Sequence, residues 1–233
     1  MASEGFQFKQ FYIRHDHCAM KVGTDGVLLG AWAKPILSPS PKGGECRILD
    51  VGTGSGLIAR MLMQRFPEAE VEGIDIDEAA VEQARENGVN AFLSSLQEWQ
   101  GTYDLIVSNP PYFQNSLKNP DKGRQTARHT DTLSYAELIG HSARLLKAHG
   151  QLALILPAEI EAEVRQLAAA EDLYLTRVTR VYSKVSKPAR RVMLLFEITS
   201  SRDHEITIDS LILENETGGR SEAYSALTKD FYL

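Results

Sequence analysis

The 233-residue sequence predicts an α/β fold: a doubly wound, mostly parallel sheet of seven strands, the last antiparallel. Three observations carry that prediction. Apolar β-type runs alternate with helical patterns along most of the chain. The inner runs are continuously apolar, as strands covered on both faces require. The final two runs follow one another without a helix, which makes them an antiparallel hairpin.

In chain order, CRILDVG (46–52) reads as a strand and SGLIARMLMQRF (55–66) as a helix. VEGIDI (71–76) is the next strand and DEAAVEQAREN (77–87) the next helix, with Asp77 capping or charging its start. FLSSL (92–96) is a weak strand and YDLIVSN (103–109) a strong one. SYAELIGHSARLLKAHG (134–150) is a helix that opens on a Ser134/Glu137 capping box and closes on Gly150 as a left-handed residue. QLALILP (151–157) and AEIEAEVRQLAAAE (158–171) continue the alternation. LYLTRVTRVYS (173–183) and RRVMLLFEIT (190–199) form the closing hairpin. LSPSPKGG (37–44) is the clearest linker, so residues 1–36 read as an N-terminal extension and 37–233 as the main domain.

Composition narrows the class. The chain is 43% apolar and 24% charged, ordinary for a globular protein, with a net charge of −6. That charge argues only weakly against a nucleic-acid partner, because a local basic patch supplies the phosphate attraction. No apolar run approaches a membrane span, and the start MASEGFQFKQ has no signal-peptide core. Cys18 and Cys46 are the only cysteines and form no CxxC pair, which points to the cytoplasm. His15 and His17 lack a second ligand pair, so no metal is expected. Trp32 and Trp99 read as packing residues.

The chemistry concentrates in two stretches. DVGTGSG (50–56) ends a strand and opens a helix. Gly52, Gly54 and Gly56 allow a tight turn and close approach to a ligand, while the helix start offers free N–H groups. Asp75, at the end of the next strand, is placed to accept ribose hydroxyls. The loop is GxGxG rather than GxGxxG, and Asp50 precedes it. An acid there orients the loop or pairs with a cation. That suits S-adenosylmethionine (SAM), with its ammonium and sulfonium, better than the pyrophosphate of NAD.

SNPPY (108–112) is the second stretch. Two prolines stop the strand stiffly at its carboxyl end. The Asn109 amide oxygen and the Pro110 carbonyl then form two fixed acceptors for a planar NH2 group, Pro111 stiffens the corner, and Tyr112 can stack on the ring bearing the amine. Positioning and electrostatics suffice for methyl transfer to such a nitrogen.

DVGTGSG, Asp75 and SNPPY, in this order, resemble the class I SAM-dependent amino-methyltransferases, whose sheet is Rossmann-like. This pair of motifs is shared by enzymes acting on DNA or RNA adenine, on guanine of ribosomal RNA and on protein glutamine. FKQFYIRHDHCAMKVGTDGVLLGAWA (8–33) and SEAYSALTKDFYL (221–233) closely resemble the bacterial tRNA(Val) adenine-N6 methyltransferases. The resemblance implies methylation of adenine 37 of that tRNA, with SAM as donor, by a cytoplasmic, monomeric enzyme that uses no metal and no membrane. It also implies that the KVGTDG segment folds over the cofactor, bringing in Lys21, Gly23, Thr24 and Asp25, with Ile76 beside Asp75. Asp25 could equally cap the helix that VLLGAWA begins. Ser95 stands where many relatives carry an acid that contacts the cofactor adenine, and Asn109 completes the cofactor set.

Two basic stretches are candidate RNA contacts: Lys118, Lys122, Arg124 and Arg128 after Tyr112, and Lys187 and Arg190 in SKVSKPARR. The rival readings are a methyltransferase for a protein glutamine or another amino group, and an RNA-binding factor with vestigial catalysis.

Overall fold

The computed structural model describes residues 4–18, 20–36, 46–111, 133–199 and 205–233. The linker at 37–44, Tyr112, Lys118, Lys122, Arg124 and Arg128 lie outside the described residues.

A short hairpin, β1 (Gly5–Gln7) and β2 (Tyr12–Arg14), precedes helix α1 (Thr24–Trp32). The main alternation follows: β3 (Arg47–Val51), α2 (Leu57–Arg65), β4 (Glu70–Asp75), α3 (Glu78–Glu86), β5 (Asn90–Leu93) and β6 (Tyr103–Ser108). Then come α4 (Tyr135–Leu145), β7 (Leu146–Pro157), α5 (Glu161–Ala170), β8 (Leu173–Tyr182), β9 (Arg191–Ile198), β10 (Thr207–Ile212) and α6 (Glu222–Thr228).

The sheet has eight strands in the order β10-β8-β9-β7-β6-β3-β4-β5. β9 runs antiparallel to both neighbours, as the predicted hairpin requires. The count differs from seven because of β10, which adds parallel to β8 at the edge and is the last strand in the chain. Its signal in the sequence is faint: of its six residues only Leu211 is buried. Alternate residues of the central strands serve opposite faces. Ile48, Leu105 and Ala153 pack under α1, α2, α3 and α6, while Leu49, Ile106 and Leu154 pack under α4 and α5. Trp32 and Trp99 are packing residues, with indole N–H groups donated to Thr179 Oγ1 at 2.9 Å and to the Tyr103 hydroxyl at 2.7 Å.

Two local expectations need correction. The fourth helix keeps its Ser134/Glu137 capping box but ends at Leu145 rather than near Gly150. Residues 147–150 bulge out of the β6–β7 pairing, whose register jumps from Leu146 to Gln151. The left-handed residue there is His149, with φ 62°. Gly150 is required for a different reason: a Cβ would stand 2.8 Å from the Lys147 carbonyl oxygen and 3.0 Å from that of Tyr103. The weak strand sits two residues earlier than FLSSL, because its parallel pairing runs out with β4 at Asp75–Leu93.

The N-terminal segment is bound into the main core. Leu28, Leu29 and Trp32 of α1 share a cluster with Ile48 and Leu62. Arg65 of α2 donates to the Gly30 and Ala33 carbonyls, satisfying the C-terminal end of α1. The stretch leading into α1 is latched to the α3 end by two residues and closed on itself by a third. Asn87 exchanges two hydrogen bonds with the Arg14 backbone and donates a third to the Ser55 carbonyl. Gln83 Oε1 accepts from His17 N, and His15 Nδ1 accepts from Val22 N. Residue 18 and residues 20–26 are thereby held beside the glycine loop.

Candidate active site

The carboxyl ends of β3, β4 and β6 meet at one edge of the sheet, where open α/β folds bind ligands. A cavity of about 1130 Å³ opens there. Its floor is the loop after β3. Gly52, Gly54 and Gly56 all have left-handed φ, of 70°, 54° and 79°. The loop is pinned to β4, since Gly52 N and Thr53 N both donate to the Ile74 carbonyl at 2.9 and 3.0 Å. Ser108 Oγ donates to the Val51 carbonyl and ties β6 to the same corner.

Ten of the expected cofactor residues line this cavity: Lys21, Gly23, Thr24 and Asp25 from the N-terminal segment, Gly52 and Gly54 from the loop, then Asp75, Ile76, Ser95 and Asn109. Pro110 and Pro111 line it as well. At Gly52 and Gly54 a Cβ would meet nothing within 4 Å, so the backbone there faces open space. Asp25, Asp75 and Asp77 line the cavity with Lys21, and although Asp25 is paired with Arg191 the wall is acidic on balance.

Two expected residues stand behind the wall. Gly56 is the N-cap of α2, and a Cβ would lie 2.7 Å from Val89 Cγ2, so it is a packing glycine. Asp50 is fully buried. Its Oδ2 accepts from Thr53 Oγ1 at 2.8 Å and from Ala59 N at 3.2 Å, and its Oδ1 has no partner among the described residues. Burial pushes its carboxyl up to about 7, against the two hydrogen bonds and with a smaller push from Asp75. Asp50 therefore orients the loop from beneath.

Asp75 bridges loop and helix. Its Oδ2 accepts from Gly54 N at 2.9 Å and its Oδ1 from Asp77 N at 3.0 Å, leaving each oxygen a second lone pair. Asp77 is the N-cap of α3, accepting from Ala79 N, as expected. Ser95 lies two residues past β5, in a turn where its Oγ accepts from Glu98 N at 3.4 Å and donates to Glu98 Oε2 at 3.3 Å.

Asp25 does not cap α1, because the N-cap is Gly23. It sits in the first turn, where its charge favours the helix, and pairs with Arg191.

At the NPP corner the Asn109 amide nitrogen faces Met20 Sδ at 3.9 Å, and the amide oxygen has no partner among the described residues. Pro110 is buried and Pro111 exposed.

Sequence reasoning missed several lining groups, including Cys18, Met20, Gln97 and Glu137. Glu137 showed only as a capping-box member, and Ser134 holds its carboxyl below the usual range, first through its side chain and then its backbone. Cys18 is buried, with its thiol pushed up to about 11 by burial, then by Asp75, Asp77 and Asp16, so it is a wall residue and no nucleophile.

The strand directions place one basic candidate at this same edge. β8 runs parallel to β10 and antiparallel to β9, hence parallel to β7 and β6, so its turn into β9 rises beside the cavity edge. In that turn Lys184 pairs with Glu214, while Lys187 and Arg190 are exposed and make no ion pair among the described residues.

Residues 36–180 match the family described as methyltransferase small domain. Over 246 residues, the chain is 46% identical to a protein of Parabacteroides distasonis named tRNA1(Val) (adenine(37)-N6)-methyltransferase, covering 100% of this chain and 99% of that one. The chain belongs to this methyltransferase family. A protein of the same name from Aeromonas salmonicida is 41% identical, over 99% of this chain and 98% of its own. Among solved structures, one from Agrobacterium tumefaciens described as a predicted O-methyltransferase superimposes with a TM-score of 0.67 at 17% identity, over 88% of this chain and 96% of that one. At that identity the likeness bears on the fold alone. The fold and its glycine-loop edge are thus those of a methyltransferase. Among the described residues, no helix is long and apolar enough to cross a membrane.

Proposed function

We propose that this chain transfers a methyl group from SAM to the exocyclic N6 of adenine 37 in tRNA(Val), in the cytoplasm. One observation supports the chemistry above the others. Asn109 lines the same cavity as the glycine loop and Asp75, and its amide oxygen is buried with no partner among the described residues. An unpaired buried acceptor costs free energy, and a site tolerates it where a ligand completes it. The substrate follows from the full-length relatives, whose names specify that base in that tRNA.

The residues present fit SAM. Gly52 and Gly54 leave room for close approach, Asp75 keeps lone pairs for ribose hydroxyls, and the acidic wall suits its positive charge. Ser95, Ile76 and the N-terminal residues Lys21, Gly23, Thr24 and Asp25 would enclose it, which makes residues 1–36 a cover for the cofactor. Bound there, SAM supplies an electrophilic methyl on a sulfonium.

The chain's own groups prepare the amine. The Asn109 Oδ1 and the Pro110 carbonyl accept the two N6–H hydrogens, draw the nitrogen out of conjugation with the ring and aim its lone pair. Pro111 holds the corner stiff, and Tyr112 stacks on the flipped base. As the nitrogen gains the methyl its proton becomes acidic and leaves along these acceptors, so no strong base is required. Lys187 and Arg190, with Lys118, Lys122, Arg124 and Arg128, would meet the phosphates around the target.

The test is methyl transfer from labelled SAM to unmodified tRNA(Val), followed by nucleoside analysis. N6-methyladenosine at position 37, absent when that base is replaced by guanine, supports the reading. Transfer to a protein glutamine, or none to tRNA despite SAM binding, would refute it.

A further inference from the structure

We propose that Phe231 is a positioning residue for the cofactor wall, so that the docking of residues 229–232 and the binding of SAM at the glycine-loop edge are coupled. This rests on the SAM reading above.

Residues 229–232 follow α6 and belong to no strand. Three successive carbonyls there accept hydrogen bonds from segments far away in the chain. Lys9 Nζ donates to the Lys229 carbonyl at 2.6 Å, Gln64 Nε2 to that of Asp230 at 2.9 Å, and Lys9 N to that of Phe231 at 2.8 Å. Tyr232 stacks on Phe8 with ring centroids 6.0 Å apart, and the Arg220 guanidinium lies 4.0 Å over the Tyr232 ring. The segment thus clasps the turn of the β1–β2 hairpin and α2 at once.

Phe231 carries the clasp inward. It is 2% exposed and shares a core cluster with Phe8, with Val27 and Ala31 of α1, and with Leu57 and Met61 of α2. Leu57 belongs both to this cluster and to the lining of the cavity. Gly26 of α1 lines the cavity as well, and a Cβ there would stand 3.0 Å from Leu57 Cδ2. At Gly30 a Cβ would stand 2.8 Å from Met61 Sδ, so α1 and α2 meet closely along the whole seam. Phe231 does not itself line the cavity. Its ring supports the seam from behind, and a void there lets α1 relax and shifts residues 23–26 on the cavity wall. Linkage makes the effect reciprocal: a docked segment that favours SAM is favoured by bound SAM to the same degree.

The experiment is calorimetric titration of the full chain with SAM, beside hydrogen exchange with and without SAM. Phe231→Ala should weaken SAM binding about fivefold or more, the scale of ordinary coupling between sites, and Phe231→Leu should recover most of that loss. Leu175→Ala opens a void in the core on the other side of the sheet. It should leave SAM affinity within about twofold, because lost global stability does not change affinity while the chain stays folded. In the wild type, saturating SAM should slow exchange of the Lys9 amide, which bonds the Phe231 carbonyl, about fivefold or more. The Leu213 amide, bonded to the Tyr182 carbonyl beside the β10 edge, should be unchanged. SAM affinity in Phe231→Ala within about twofold of wild type overturns the inference, and so does equal weakening in Leu175→Ala. Where Phe231→Ala does not fold, the wild-type exchange decides: no slowing at Lys9, or equal slowing at Lys9 and Leu213, overturns it. A wild type that binds no SAM would overturn the functional reading and this inference with it, whereas a wild type that binds SAM without coupling to Phe231 overturns the inference alone.

Discussion

Arg191 at the start of β9 donates from Nε to Asp25 Oδ2 in the first turn of α1 at 2.8 Å, joining residues 166 positions apart. Both side chains are partly buried, 30% and 24% exposed, so the pair is screened less than a surface contact. It fastens the N-terminal segment to the strand whose turn carries Lys187 and Arg190. Arg191→Met should free the start of α1 at the cavity rim and weaken SAM binding roughly three- to tenfold, the effect of about 1 kcal/mol. Calorimetric titration of the single and double variants with Asp25→Asn checks it, and additive losses would show that the two residues act separately.

Asn109→Ala removes the acceptor and leaves the glycine loop and Asp75 untouched. SAM affinity should stay within about twofold, while methyl transfer falls about a hundredfold or more, as for one lost transition-state contact. Equal losses in binding and turnover would assign Asn109 to the cofactor instead.

Asp50 sets a pH dependence of stability. Its folded-state value of about 7 lies above that of an exposed aspartate near 3.8. Between these values the folded chain holds a proton that the unfolded chain has released, so stability falls as pH rises from 4 to 7. Below 4 both states are protonated and above 7 both are ionised, so the slope vanishes at each end. Relative to Asp50→Asn, the wild type should lose on the order of a few kcal/mol across that window. Thermal unfolding of both proteins from pH 4 to 8 measures it, and a constant offset between them would show that Asp50 is ionised throughout. A cationic ligand nearby lowers the value, so SAM should bind more tightly as pH rises through 7.

Two glycines of one loop should separate stability from binding. Gly56→Ala meets a left-handed backbone and a 2.7 Å contact with Val89, for a combined cost of about 2–4 kcal/mol and a fall of roughly 5–15 °C in Tm. Gly52→Ala meets the backbone strain but open space, so it should cost about 1–2 kcal/mol and intrude on the ligand. Scanning calorimetry with SAM titration distinguishes them, and equal Tm shifts would contradict the packing role of Gly56.

The glycine loop, Asp75 and the NPP corner were legible in the sequence because each is a local solution. A left-handed turn selects glycine, a strand end exposes its acid, and two prolines stop a strand. β10 was not legible, since an edge strand with one buried residue carries little apolar pattern. Nor was the partner of Asp25, because nothing near residue 25 points to a guanidinium at 191. Met20, Cys18 and Glu137 enter the cavity wall through the closing of the chain, and their own neighbourhoods read as loop, packing and cap.

Lys187 and Arg190 are the candidate RNA contacts that fall among the described residues. The turn between β8 and β9 rises at the catalytic edge, and three other cations around that turn are engaged: Lys184 with Glu214, Arg180 with Glu161 and Arg191 with Asp25. A cation already paired releases fewer counterions when phosphate arrives, whereas an unpaired one contributes in full. The double variant Lys187→Gln/Arg190→Gln should flatten the dependence of log Kd on log salt by about 1.4 to 1.8, two phosphate contacts, and leave SAM affinity unchanged. The same changes at Lys184 should shift the slope less. Measurement of tRNA binding across a range of potassium chloride decides it: an unaltered slope in the double variant would remove this turn from the RNA surface and leave the work to the basic stretch after Tyr112.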